Sequence, residues 1–209
     1  MSKMSLRYKD VLFALSAAKS HQQLLGRLQL QKYIYLADTL SLLWEVMNIN
    51  GYETYKRGPY DPNIQNAVDV LAFRGFVLIK DSKYSSDGNV AVNYEISILG
   101  EEIVSKLILE EIFLRKYQLF YLLSEYIEER GWGKLLDLVY SEATYLTGRV
   151  AGYGHALKLN SLLSNETIQI LFGFNTLTRD RNVKFSRENL LSIFFQILDN
   201  YHALHMGVG

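Results

Sequence analysis

The sequence predicts a mainly α-helical protein with a small β-hairpin, and three observations carry that expectation. Leu28-Gln-Leu-Gln-Lys-Tyr-Ile-Tyr-Leu-Ala-Asp38 repeats apolar residues at helical spacing. After the break Lys56-Arg-Gly-Pro-Tyr-Asp-Pro62, a second and shorter helical pattern covers Asn63 to Phe73. Val90, Val92, Tyr94, Ile96 and Ile98 then alternate with other residues, the mark of a half-buried strand. Helix, turn, helix and two-stranded wing follow one another as in a winged helix-turn-helix. The expected organisation is a winged-helix-like part over 1–105 and a helical part over 106–209. A long bridging helix would make the two one continuous domain.

In chain order, Tyr8 to Lys19 is the first helix, with Val11, Leu12, Leu15 and Ala18 on one stripe. Leu24 to Met47 is the second, its core face formed by Leu30, Tyr33, Ile34, Ala37, Leu40 and Trp44. Asn48-Ile-Asn-Gly51 is expected to stop it, because Asn and Gly accept the positive φ of a helix C-cap. Tyr52–Tyr55 reads as a short strand and Gly58-Pro59 as a turn. Asp61 stands at an N-cap and Pro62 at the favoured first helical position, with Ile64, Ala67, Val68 and Leu71 facing inward. Gly75 ends that helix. Phe76–Lys80 and Val90–Ile98 pair across the polar link Ser85–Asn89.

Beyond the wing, Gly100 to about Arg130 is one long helix or two consecutive ones, and Gly131-Trp-Gly133 breaks it. Lys134–Leu146 is helical. Gly148–Gly154 is a flexible, glycine-rich connection. Leu157–Phe172 is helical, with an interruption at Ser164-Asn165. Phe174–Lys184 is a polar loop. Ser186 caps a last helix over Leu190–Leu204.

The bulk composition narrows the function classes. Apolar residues make up 49% and charged residues 21% of the 209, which are globular values. The net charge is zero, and it is balanced in each half: 12 basic and 12 acidic side chains in 1–110, 10 and 10 in 111–209. Neither half has the positive excess on which nonspecific nucleic-acid affinity draws. The absence of cysteine excludes disulfides, thiolate nucleophiles and cysteine metal sites, and it suits the cytoplasm. Met1–Asp10 has no apolar core of a secretory signal, and no apolar run reaches a membrane span. The expectation is a cytoplasmic protein with no membrane partner. Tyrosine is abundant at 15 residues, and its apolar body with a polar tip suits interfaces.

The stretch Leu28–Asp38 resembles the opening "LQKLLYLA" motif of the SocA-like or Panacea antitoxin-type domains, a bacterial and phage family. Tyr55-Lys-Arg-Gly-Pro-Tyr60 is similar to its "Y-x-Y-G-P" signature, with Arg57 in place of a common aromatic residue. Asn63–Val77 fits the helix and glycine that follow. The resemblance covers roughly residues 24–100. It extends to the small middle subunits of three-component ATPase defence systems such as Lamassu. What it implies is a non-catalytic regulatory or accessory role. Antitoxin-type members neutralise a partner toxin, and middle subunits sit between an SMC-like ATPase and an effector, often a nuclease.

The residues themselves offer one candidate binding surface. On Pro62–Arg74 the outward positions are Asn63, Gln65, Asn66, Asp69 and Arg74. Asn and Gln contact adenine edges and Arg contacts guanine, whereas Asp69 repels phosphate. Lys56 and Arg57 on the turn, with Lys80 and Lys83 on the wing, would add a basic patch, and Tyr84 would stack on a base. The competing reading is a solvated or protein-facing helix, and the charge balance favours it. The candidate nucleic-acid set is Lys56, Arg57, Gln65, Asn66, Arg74, Lys83 and Tyr84. Gly148–His155 lacks the Gly-Lys-Ser/Thr ending and the preceding strand of a phosphate loop. His202 and His205, with Asp199 nearby, share a helix face, but nothing completes a metal site. No catalytic, metal or cofactor residues stand out. The expected partners are other protein subunits, with at most weak DNA contact.

Overall fold

The structure is a computed structural model that describes residues 4–84, 90–179 and 185–206. The elements are α1 (Leu6–Ser20), β1 (Leu25–Gly26), α2 (Arg27–Leu40), β2 (Tyr52–Tyr55), β3 (Gly58–Tyr60), α3 (Pro62–Phe73), β4 (Val77–Tyr84), β5 (Val90–Ile96), α4 (Ile98–Leu107), α5 (Glu111–Ser141), α6 (Ala143–Val150), β6 (Ala156–Leu157), α7 (Glu166–Arg179) and α8 (Arg187–Met206). The fold is mainly helical with two small antiparallel sheets, ordered β1-β5-β4 and β3-β2-β6. No described helix is long and apolar enough to cross a membrane.

The core forms around α1, which is buried on every side from Val11 to Ala18. A helix apolar all round has to be enclosed, and α2, α3, α4, α5 and β5 enclose this one. Leu30 to Leu40 of α2 is buried without interruption. Burying each such Leu, Ile or Phe contributes about 1.5–3 kcal/mol. The long helix α5 packs on both α1 and α2 and also carries α8, and its axis kinks at Gly131. The buried apolar side chains form one cluster running from α1 to α8.

The hairpin forms as the alternation predicts: β4 and β5 pair antiparallel, with Val77 opposite Ile96 and Ile79 opposite Tyr94. The Ser85–Asn89 link lies outside the described residues. Asp61 caps α3, its side chain accepting from the Asn63 amide, and Pro62 opens the helix. Ile64, Ala67, Val68 and Leu71 are its buried face.

Several boundaries differ from expectation, each for a local reason. Leu25 and Gly26 leave the helix pattern to pair with Tyr94 and Asn93 as a third strand beside the β4–β5 hairpin. The second helix stops at Leu40, because the Ser41 hydroxyl takes the Asp38 carbonyl at 2.7 Å and diverts the chain into turns. Asn48 is not a cap. Its amide bridges the Asp38 and Leu159 carbonyls. The β2–β3 turn is Lys56-Arg57, while Gly58-Pro59 opens β3, with Gly58 at φ 88°.

Further along, Ile98 belongs to α4 rather than to the strand, because the Ser97 hydroxyl caps that helix at Gly100. A break at Glu142 separates α5 from α6, so Lys134–Leu146 is not one helix. Gly148 and Val150 are helical. Leu157 pairs as a strand, and the helix after it waits until Glu166, beyond the Asn165 side chain that accepts from the Ile168 amide. Residues 174–179 continue α7 instead of forming a loop.

Gly100 is where α4 is pressed onto the base of the β4–β5 hairpin. A Cβ there would lie 2.4 Å from the Phe76 carbonyl oxygen and 2.5 Å from Ile96. Backbone cannot step aside as a side-chain end can. Gly100→Ala is therefore expected to lower stability by about 1–3 kcal/mol, read from the urea midpoint. An unchanged midpoint would mean that α4 can slide.

Candidate functional site

The chemistry-bearing side chains that the fold draws together are buried ones. Arg7 lies in the first turn of α1, three residues before Asp10. Asp38 lies in the last turn of α2, Asp61 caps α3, and Lys116 lies on α5. The Arg7 guanidinium donates to Asp61 at 2.8 Å, to Asp10 at 3.1 Å and to Asp38. Lys116 Nζ stands 2.6 Å from Asp10 and 3.5 Å from Asp38, and it donates to the Met47 carbonyl at 2.8 Å. The Tyr52 hydroxyl donates to Asp38, and its ring lies beneath the guanidinium at 4.9 Å. Exposure is 3% for Arg7 and Lys116 and 0% for each aspartate.

Three carboxylates face two cations. Burial pushes the Asp10 carboxyl up and Asp38 adds to this, against the lowering fields of Lys116 and Arg7. Burial works against the charge on Arg7, but the fields of Tyr52 and the three aspartates more than reverse it. Lys116 is likewise raised, with Asp10 and Asp38 overcoming its burial.

The aspartates are fully engaged by Arg7 and Lys116, and no group of His, Asp or Glu among the described residues is arranged to hold a metal. Two surface concavities, of about 160 and 350 Å³, are lined around Leu146, Ile170 and Phe194 and around Ile108, Tyr117 and Tyr121. Neither shares a residue with the cluster. The five groups tie α1, α2, α3 and α5 together.

A second layer of buried bonds surrounds it. Gln31 and Asp61 bond reciprocally: the amide donates to the Asp61 carbonyl at 2.8 Å and its oxygen accepts the Asp61 N–H at 3.1 Å. Lys32 Nζ donates to the Pro59 carbonyl at 2.6 Å. Tyr35 donates to Glu142 at 2.5 Å, and the same carboxylate caps α6 through the Thr144 and Tyr145 amides.

The sequence-derived binding residues fall on two pairs of elements. Gln65, Asn66 and Arg74 lie along or at the end of α3, and Lys83 lies on β4, which packs on α3. Asn66, Arg74 and Lys83 are exposed. Gln65 is half-buried and committed, donating to Asp69 at 2.7 Å and to the Tyr94 hydroxyl at 3.2 Å. Lys80 faces Glu95 at 3.7 Å. The Tyr84 side chain lies outside the described residues.

Lys56 and Arg57 are exposed at the tip of the β2–β3 hairpin, which rests instead on α2, α6 and β6. Asp61, close to them in the chain, is sealed inside. His21 bonds Glu128 and contacts Tyr121, and the side chains of Asp199, His202 and His205 lie outside the described residues.

Sequence reasoning missed the ion cluster, although one signal was present. Asp38 follows Ile34 by four and Ala37 by one, so a charge falls within the buried stripe of α2. Charged residues are almost never fully buried unless paired. No protein-family model matches the chain, and no curated protein matches it.

Proposed function

We propose that this chain is a non-catalytic accessory subunit of a prokaryotic anti-phage defence complex, bridging an SMC-like ATPase and an effector. Its residues 6–96 would serve as a winged helix-turn-helix framework. The framework reading draws support from the order α1, β1, α2, α3, β4, β5 and from the sheet order β1-β5-β4, with the β2–β3 hairpin inserted ahead of α3.

The observation that carries the adaptor reading is what the resemblance-bearing residues do. Gln31 and Lys32 of the first motif bond Asp61 and Pro59 around the second. The two motifs are halves of one interlock, so they serve as scaffold. Function then falls to the surface. At the junction of α3 and α4, Phe73 is 93% exposed, Ile98 78% and Leu99 53%. The Ser97 hydroxyl donates to the Gly75 carbonyl at 2.7 Å, which ties the start of α4 to the chain leaving α3. Aromatic and apolar side chains of this kind supply most of the energy at protein interfaces.

The test is purification of the tagged protein from its native host. An SMC-like ATPase and an effector are expected to co-purify, and Phe73→Glu with Ile98→Glu should release them while the melting temperature holds. Isolation as a lone protein with sub-micromolar affinity for duplex DNA would overturn the reading. It would favour the alternative, a winged-helix transcriptional regulator or antitoxin. The exposed Asn63, Asn66 and Arg74 along α3 speak for that alternative. Asp69 on the same helix, and the commitment of Gln65 to it, speak against it.

A further inference from the structure

The β2–β3 hairpin, the C-terminal end of α5 and the α6–β6 loop form one continuous surface that the adaptor reading does not use. The Tyr55 and Tyr60 rings lie 5.5 Å apart on either side of the hairpin. Between them stand the exposed Lys56 and Arg57. The Arg57 carbonyl accepts from the Tyr140 hydroxyl at 3.1 Å, which fixes the tip against α5. The Tyr140 ring meets Tyr145 at 6.1 Å. The Tyr145 hydroxyl in turn feels the fields of Arg149 and Tyr153.

From Tyr153 the chain returns along β2. The Gly154 amide donates to the Thr54 carbonyl at 2.8 Å, the Thr54 amide donates to the His155 carbonyl at 2.9 Å, and Thr54 precedes Tyr55. Gly148 is buried against Leu157 and Thr54, which holds α6 close beneath the loop.

The chemistry of this surface is specific in kind. Tyr153 is 71% and Tyr55 49% exposed, so both offer an open ring face. Lys56, Arg57 and Arg149 are exposed, and so is His155. The nearby carboxylates are few: Glu53 is half-buried on β2, Glu142 is sealed and fully bonded, Asp137 is half-buried with a partner, and Glu166 is taken by the Thr147 hydroxyl at 2.6 Å. Of the charged groups named here, the fully exposed ones are therefore all cationic, although the chain is neutral overall.

The geometry points to a binding site for single-stranded nucleic acid, with Lys56, Arg57 and Arg149 on the phosphates and Tyr55 and Tyr153 stacking on splayed bases. Such sites combine a basic track with aromatic platforms, and each stacked base contributes on a scale that alanine substitution can detect. A duplex hides its base faces, and a polyacidic peptide carries no rings to stack on the exposed tyrosines. The aromatic component therefore selects the single strand. The site is distinct from the outward face of α3.

The experiment is fluorescence anisotropy of the full chain with labelled oligo(dT) and oligo(U) of about 20 nucleotides, a length that exceeds one small site, across a salt series. Micromolar binding to at least one oligonucleotide is expected, and the comparison of the two assigns DNA or RNA. Lys56→Ala with Arg57→Ala should weaken it about tenfold and flatten the log–log salt slope by about 1.4, two lost contacts at roughly 0.7 each. Tyr153→Ala should weaken binding several-fold and leave the salt slope unchanged. Asn66→Ala with Arg74→Ala, on α3, should leave both quantities alone. All of these residues are exposed, so folding is preserved. No binding at 100-fold protein excess over the expected constant would overturn the proposal. So would equal loss in the α3 variant, and so would an equally tight complex with a polyglutamate peptide, which would mark an acidic protein partner instead.

Discussion

Replacing Arg7 with methionine is expected to remove about 3–5 kcal/mol of folding stability, the scale for breaking a buried ion pair from one side. For a chain of this size that is a fall in melting temperature of roughly 10 °C or more. The reason is geometric. The guanidinium touches all three aspartates of the cluster, whereas Lys116 reaches only Asp10 and Asp38. Without Arg7, Asp61 stays 0% exposed with no cation beside it, and it still has to accept the Asn63 amide at the head of α3.

The variant should also acquire a pH signature. A buried carboxyl deprived of its cation has its pKa raised in the folded state, so the folded chain holds more protons than the unfolded one above about pH 4. Stability of the variant then falls as pH rises, and the deficit should be smaller at pH 5 than at pH 7. Urea midpoints of both proteins at the two pH values measure this. A loss below about 1 kcal/mol at pH 7 would mean that the carboxylates are not held ionised by Arg7.

The features legible from sequence are those decided by neighbours in the chain. The Asp61-Pro62 start of α3, its end at Gly75 and the Ser186 cap depend on a few adjacent residues. The alternation over Val90–Ile96 records a sheet with one face on the core. The features that escaped depend on distant partners. The Tyr52–Leu157 pairing joins residues about half the chain apart, and a two-residue strand has no periodicity to show. The end of α2 is settled partly by Asn48, which needs the Leu159 carbonyl to be in place.

The ion cluster escaped for the same reason. Arg7 and Lys116 look like ordinary surface charges in their own windows, and Asp38 in its apolar stripe and Asp61 at its cap point to no particular partner. Only the crossing of α1, α2 and α5 turns them into one another's counterions. The candidate nucleic-acid residues were legible as types, but their grouping was not. Lys56 and Arg57 read as companions of α3 because they precede it in the chain, yet they fold away from it onto α6 and β6.

Lys32 should give the protein a stability that rises with pH between about 7 and 10. Its side chain is 1% exposed, its ammonium donates to the Pro59 carbonyl, and no carboxylate pairs with it among the described residues. The Gly58 backbone and the Tyr140 ring close over it. Burial lowers its pKa from 10.5 to about 7. Between those values the unfolded chain carries the proton and the folded chain does not, so stability climbs by about 1.4 kcal/mol per pH unit. Below pH 7 both states are protonated, and the cost of burying the ammonium is borne in full.

The climb has a ceiling. Burial pushes the hydroxyls of Tyr33, Tyr35 and Tyr52 upward, so above about pH 10 the unfolded chain loses phenolic protons that the folded chain keeps, and stability turns down. Lys32→Met separates the charge from the hydrogen bond. Loss of the donor to Pro59 costs about 1–3 kcal/mol at every pH, whereas loss of the titrating group abolishes the slope. Urea midpoints taken from pH 6.5 to 9.5 should therefore rise for the parent protein and stay level for the variant. A parent curve that is already level would show that the Lys32 ammonium is solvated or paired, and that the hairpin does not seal it.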